Sequence, residues 1–125
     1  MTKDESVNVL GEPLELCGDN PVTGFFRDSH CNTCEEDFGS HTVCIQASKA
    51  FLEYSKSKGN DLSTPQPQFG FEGLKAGDGW CLCAARWLEA YEEGSAPRVF
   101  LSRTHQRALD VVPLELLKKL ATDLN

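Results

Sequence analysis

Residues 77–87 read Gly-Asp-Gly-Trp-Cys-Leu-Cys-Ala-Ala-Arg-Trp, and they combine both tryptophans of the chain with two of its six cysteines. The stretch opens with a glycine turn and continues as a short apolar run. Ala84, Trp87, Leu88 and Tyr91 then follow the spacing of one helix face. We therefore expect a strand that leads directly into a helix.

The segments on either side of this stretch predict an α+β fold. The run from His41 to Ile45 is rich in β-formers and follows a glycine. Ser48 is placed to cap a helix that ends before Gly59, and Pro113 suits the first position of another. We expect a small sheet of three or more short strands, near 43–45, 80–83 and 98–102, about three packed helices, at 48–57, 84–93 and 113–122, and long ordered loops. The last helix carries an apolar stripe of Leu114, Leu117, Leu120, Ala121 and Leu124.

Composition limits the classes of protein and partner. A chain of 125 residues that is 40% hydrophobic predicts a single domain over 1–125, with residues 1–6 frayed. The net charge of −7 disfavours nucleic acid as a partner. No apolar run reaches the roughly 18 residues of a membrane helix, and no signal core is present, so we expect no membrane association and a cytoplasmic location.

The cysteines stand at positions 17, 31, 34, 44, 81 and 83. In a secreted chain they would suggest three disulfides of unknown connectivity, whereas in a reducing cytosol they suggest free thiols, metal ligands, redox groups or buried filler. The C-x-x-C pair Cys31 and Cys34 is half of a zinc site, which His30, His41 or the pair at 81 and 83 would have to complete. Three acids follow Cys34 and disfavour thioredoxin-type redox use.

One histidine stands at the start of the predicted strand 41–45. His41 and Val43 then share one face, whereas Cys44 lies on the other. His41 cannot activate Cys44 within the same strand, so a Cys–His pair would have to form across strands.

The junction at residues 80–84 indicates a thiol with a favourable setting. Cys81 and Cys83 share one face if the segment is a strand. Cys83 then begins the following helix, where amide N–H groups and the helix dipole stabilise a thiolate, and Arg86 adds positive charge on the same side.

The stretch 59–79 has neither a helical nor a strand period. Its apolar side chains indicate an ordered loop that packs over the core. Asn60 and Asp61 either present polar groups to a ligand or cap a turn. No phosphate-binding loop, G-x-S-x-G elbow, H-E-x-x-H motif or internal repeat is present.

Four ordered blocks resemble the bacterial domain-of-unknown-function family 2237. They are Asn-Val-Leu-Gly-Glu-Pro-Leu-Glu at 8–15, Gly-Ser-His-Thr-Val-Cys at 39–44, Gly-Asn-Asp-Leu-Ser-Thr-Pro at 59–65, and the stretch 77–87. The resemblance implies a small stand-alone bacterial protein, and it implies no activity because the family is uncharacterised. Where family members carry Cys-Cys-x-Thr-Gly-Pro-Glu-Asp, this chain has Cys34, which counts against a family-wide C-x-x-C metal site. The positions that fit the family are Cys17, Cys31, His41, Cys44, Cys81 and Cys83.

Two functional hypotheses follow, and whether the protein is an enzyme stays open between them. The first is a thiol site, metal-binding or redox, with Cys31, Cys81 and Cys83 as candidate metal ligands, zinc as the candidate ion, and Cys83 and His41 as candidate catalytic residues. The second is a non-catalytic module that binds a small molecule or a protein through the 59–79 loop. Asn60, Asp61 and Arg86 are the candidate ligand-binding residues, and in the second hypothesis the cysteines are structural.

Overall fold

The computed structural model describes residues 2–123, and the elements form a small α+β fold. The bounds are β1 His41–Gln46, α1 Lys49–Ser57, β2 Gly79–Cys83, α2 Ala84–Glu92, β3 Arg98–Val99 and α3 Leu114–Lys119. Short 3-10 turns occupy Pro67–Phe69, Leu101–Arg103 and Gln106–Asp110. Within residues 2–123 the three helices and the three-stranded sheet confirm the predicted fold class. Leu124, the last residue of the predicted apolar stripe, and Met1 of the predicted frayed terminus lie outside the described residues.

The sheet has the order β2-β1-β3, and both pairings are antiparallel. β1 is central, and the side chains of Val43 and Ile45 are completely buried. On one side β1 pairs along its length with β2, and on the other side Ile45 pairs with Val99. This order places the end of β2 next to the start of β1.

The helices begin within one residue of their predicted starts, and Pro113 is the N-cap of α3 and not its first helical residue. Ser48 caps α1 by accepting a hydrogen bond from the Phe51 N–H at 3.1 Å. α2 follows β2 without an intervening loop, and it directs Trp87 into the core. The buried Trp87 indole satisfies its N–H by donating to the Pro97 carbonyl at 3.1 Å.

The last strand and the last helix are shorter than predicted. The predicted strand 98–102 ends at Val99, because the chain turns into the 3-10 segment Leu101–Arg103. The predicted helix 113–122 ends at Lys119. Val99 donates to the Leu120 carbonyl and accepts from the Thr122 N–H, both at 2.9 Å, so this segment pairs with β3 instead of continuing the helix.

The stretch 59–79 is an ordered loop that is attached to the core by Leu62 and Leu74, both buried. A hydrogen bond from the Leu74 N–H to the Leu62 carbonyl, 2.8 Å long, closes it. At its tip, Phe69 is 79% exposed. The loop therefore presents a rim to solvent while its base packs on the body.

The first residues, which we expected to be frayed, contact the body of the protein. The Asp4 N–H donates to the Thr33 carbonyl at 2.8 Å, and Lys3 pairs with Asp28 at 2.8 Å. Arg107 forms an ion pair with Asp4. In the described part of the chain, no helix has the length and apolar character needed to cross a membrane.

Candidate functional site

The start of β1 and the end of β2 bring a histidine and a cysteine together. His41 and Cys83 are cross-strand partners in the antiparallel ladder, which has an irregularity between His41 and Val43. Cys83 is also the N-cap residue of α2, and its side chain makes no capping hydrogen bond. Its thiol forms no disulfide, and it is half-buried at the junction between a strand and a helix.

Asp37 holds the imidazole from the opposite side. One carboxylate oxygen lies 2.7 Å from Nδ1 of His41. The other oxygen accepts from the His41 backbone N–H and from the Thr33 hydroxyl, each at 2.9 Å. The carboxylate is fully buried, so these bonds fix both the position of Asp37 and the ring that it orients. Nε2 is then the ring nitrogen left for Cys83.

The charge state of His41 follows from these two neighbours. The pKa of His41 is raised to about 9, first by its hydrogen bond with Cys83 and further by Asp37, while burial opposes the shift. The imidazole is therefore protonated near pH 7. A cation beside a cysteine sulfur is a pairing found in enzymes with nucleophilic thiols.

The backbone before β1 packs tightly against this pair. A Cβ at Gly39 would lie 3.0 Å from Cε1 of His41 and 3.1 Å from Sγ of Cys83. The next residue, Ser40, has a φ of 47°, in the left-handed region that non-glycine residues rarely adopt. Its carbonyl accepts from the Ala84 N–H at 2.9 Å, which joins this turn to the first residue of α2.

The pair opens onto a cleft of about 270 Å³. The ring of Phe25 stacks on the His41 imidazole, with centroids 6.3 Å apart. The Arg27 guanidinium lies 5.6 Å from the centroid of the Trp80 ring. Arg27 and His41 are the basic side chains that line the cleft within the described residues, although the chain carries a net charge of −7. A larger cleft of about 920 Å³ shares Arg27, Leu62 and Trp80 with it.

A comparison with family models matches residues 7–121 to a family described as an uncharacterised protein conserved in bacteria (DUF2237). The chain belongs to this family. A comparison with curated proteins finds no match.

The candidate metal ligands are distributed over two environments. Cys31 and Cys81 form a disulfide, and Cys17 and Cys44 form another. For a reducing cytosol we expected free thiols, metal ligands, redox groups or buried filler, and these four cysteines are instead disulfide-bonded. Cys83 is outside both bonds, and it lines the small cleft. Cys34, the second cysteine of the C-x-x-C pair, is a buried free thiol.

The candidate ligand-binding residues are separated as well. Asn60 lines the small cleft beside Cys83, and Asp61 lines the larger one. The Asp61 carboxylate accepts from the backbone N–H groups of Ser63 and Thr64, and a hydrogen bond from the Thr64 side chain is the first cause that lowers the pKa of Asp61 to about 2. Asp61 therefore caps a turn.

Arg86 lies away from both clefts. Its guanidinium donates to the Lys58 carbonyl at 3.3 Å and lies 3.8 Å from the Glu89 carboxylate. The positive charge on the side of Cys83 therefore comes from His41, with Arg27 also lining the cleft. Asp37, Arg27 and Phe25 were not among the predicted site residues. The available signal for Asp37 was its position four residues before His41 in an acidic loop.

Proposed function

We propose that this DUF2237 protein is an enzyme that uses Cys83 as a covalent nucleophile. His41 serves as the acid and base, and Asp37 is the positioning residue for its ring. The observation that carries the proposal is the position of His41, which is the cross-strand partner of Cys83 and bonds through Nδ1 to a buried carboxylate. A nucleophile, a base and a group that orients the base are the parts that covalent catalysis by cysteine requires.

The protonated state of His41 specifies the order of proton movements. In the proposed cycle His41 takes the proton of the Cys83 thiol, and the sulfur attacks an electrophilic carbon such as an acyl carbon and forms a C–S bond. The imidazolium gives its proton to the leaving group as the bond to that group breaks. The neutral imidazole then takes a proton from water, the hydroxide attacks the same carbon, and Cys83 leaves as the thiolate. The cycle ends with the starting protonation state, so it is a hydrolysis without net redox change.

The charge of the small cleft specifies the substrate class. Arg27 and the His41 imidazolium face the same space, which favours substrates that carry an anionic group close to the reacting carbon. Phe25 and Trp80 supply apolar walls. We therefore expect a small carboxylate-bearing acyl compound, while the adjoining larger cleft has room for the remainder of the substrate.

Alkylation of Cys83 by iodoacetate and by iodoacetamide tests the proposal. The modified cysteine is located by peptide mass spectrometry. At pH 7 we expect wild-type Cys83 to react about ten-fold or more faster than Cys83 of His41→Gln, since an unpaired thiol is only a few per cent thiolate. The ratio of the iodoacetate rate to the iodoacetamide rate should be higher in wild type than in Arg27→Gln, because Arg27 attracts the anionic reagent.

His30→Gln is the matched control for this experiment. The ring of His30 bonds to the Asp28 carbonyl at 2.9 Å, and it does not line the small cleft. The His30→Gln variant should therefore leave the alkylation rate of Cys83 unchanged. Equal rates in wild type and His41→Gln, with both proteins folded by circular dichroism, would rule out the proposed pair.

A second candidate function is supported by the size of the larger cleft. About 920 Å³ lined by the 59–79 loop, including Phe69 and Phe71, is sufficient for a non-catalytic module that binds a small molecule. In that case Cys83→Ser would retain ligand binding in full and alter only stability. If wild type turns the ligand over and Cys83→Ser binds it without turnover, the result favours the enzyme.

A further inference from the structure

The four cysteines in disulfides form a cluster of their own, apart from the main hydrophobic core. Cys17, Cys31, Cys44 and Cys81 are at most 3% exposed, and Phe100 packs against them. Cys44 and Cys81 are direct cross-strand partners on β1 and β2. The other two, Cys17 and Cys31, come from the segment before β1. Each disulfide therefore joins one strand of the sheet to that segment.

The two disulfides lie side by side. The sulfurs of Cys17, Cys31 and Cys81 are all within 4.8 Å of one another, although Cys17 is bonded to Cys44 and not to the other two. Zinc binds thiolates at about 2.3 Å, which places the sulfurs of a tetrahedral site about 3.8 Å apart. Three of the four sulfurs thus lie within 4.8 Å of one another, and the fourth is held beside them by its bond to Cys17, so breaking the two S–S bonds needs only small movements to reach that spacing.

We propose that Cys17, Cys31, Cys44 and Cys81 constitute a redox-switched zinc site, which is a pair of disulfides when oxidised and a tetrathiolate zinc centre when reduced. Two molecules of a dithiol reductant open the two S–S bonds, deliver four electrons and four protons, and leave as two disulfides. One Zn²⁺ then replaces the four thiol protons. This site is separate from Cys83 and does not depend on its proposed catalytic role.

The backbone around the cluster is held by bonds that do not involve sulfur. The Cys17 N–H donates to the Ser29 carbonyl at 2.8 Å. The Cys81 N–H donates to the Thr23 hydroxyl at 3.0 Å, and the Cys44 N–H donates to the Thr104 hydroxyl at 3.1 Å. Thr23 and Thr104 are completely buried. Reduction therefore releases the sulfurs while these bonds keep them near each other, as a pre-arranged metal site requires.

The small cleft borders the cluster at Cys81, which lines the cleft although it is only 1% exposed. In the proposed switch this is the side from which a small reductant or a metal ion approaches. The ligand set also differs from the C-x-x-C pair, because Cys34 is outside the cluster.

Cobalt titration tests the proposal. The purified protein is reduced by a phosphine under nitrogen, and Co²⁺ is added to the reduced and to the untreated protein. We expect one Co²⁺ per chain in the reduced protein only, with the sulfur-to-metal charge-transfer and d–d bands of a tetrahedral tetrathiolate, and one equivalent of Zn²⁺ should remove these bands. Reduced wild type that stays folded and binds no cobalt would overturn the proposal.

Single-cysteine variants locate the ligands. Cys17→Ser and Cys44→Ser should lose the tetrathiolate spectrum, whereas Cys34→Ser and Cys83→Ser should keep it. Survival of the spectrum in the first pair, or its loss in the second, would contradict the assigned ligands. If the reduced metal-free protein unfolds, recovery of the native circular dichroism spectrum on adding Zn²⁺ supports the site, and failure to recover contradicts it.

Discussion

At the scale of single residues, His41 connects the parts of the candidate catalytic site. Asp37 fixes the orientation of the ring through Nδ1, and Cys83 is the cross-strand partner of His41. The raised pKa of about 9 follows from these two neighbours because both favour the protonated imidazole. His41 and Cys83 were both predicted site residues, and the structure brings them together. Asp37 was not predicted, because nothing in the pattern of an acidic loop distinguishes the one carboxylate that becomes buried.

The raised pKa of His41 makes the stability of the protein depend on pH. The pKa rises from 6.5 in the unfolded chain to about 9 in the folded one, so the protonated ring stabilises the fold fully below pH 6.5 and the contribution is lost as pH rises through about 9. Urea unfolding of wild type and His41→Gln should show a difference in free energy that is largest near pH 6 and shrinks by about pH 10. The ring is 39% exposed, so solvent reduces the size of the effect. A difference that is constant or grows with pH would contradict the assigned shift.

At the scale of elements, the junction between β2 and α2 is what positions the thiol. The glycine turn, apolar run and helical spacing predicted this junction directly, and β2 and α2 meet between Cys83 and Ala84. The boundaries of α1 were also predictable, because caps are local signals. The end of α3 was not predictable from local signals. It depends on Val99 of β3, which donates to the Leu120 carbonyl and accepts from the Thr122 N–H.

The cap of α1 provides a local test of the element. Ser48→Ala removes the acceptor of the Phe51 N–H and should lower the free energy of unfolding by about 1 kcal/mol. Ser48→Asp is the matched control, because it keeps an acceptor and places negative charge at the positive end of the helix. Urea denaturation measures both. Equal losses in the two variants would show that the cap does not act through this hydrogen bond.

At the scale of the whole molecule, two disulfides link the segment before β1 to the sheet. Cys17–Cys44 spans 27 residues and Cys31–Cys81 spans 50, and the two loops overlap. These bonds reduce the conformational entropy of the unfolded chain over residues 17–81. In the folded protein, the part of this range before His41 contains no helix or strand. The two disulfides also place the loop that contains Phe25, Arg27 and Asp37 over the start of β1.

Removal of either disulfide should therefore be costly. Loop-closure entropy predicts losses of about 3.5 kcal/mol for the Cys17,Cys44→Ala pair and about 4 kcal/mol for the Cys31,Cys81→Ala pair. Urea unfolding of oxidised protein with a metal chelator present measures each loss, and oxidised wild type is the reference. A chain that loses less than about 1 kcal/mol in both variants would show that the links do not constrain the unfolded state.

The sequence by itself determined the α+β class, the strand-to-helix junction at residues 79–84, the starts of the helices and two residues of the candidate catalytic site. These depend on periodicity, caps and turns, which act over a few neighbouring residues. Only the tertiary structure decided the strand order, the pairing of Cys17 with Cys44 and of Cys31 with Cys81, and the burial of Asp37 beside His41. Those contacts join residues that are distant in the chain or that differ from their neighbours only in burial, so the folded backbone is what selects them.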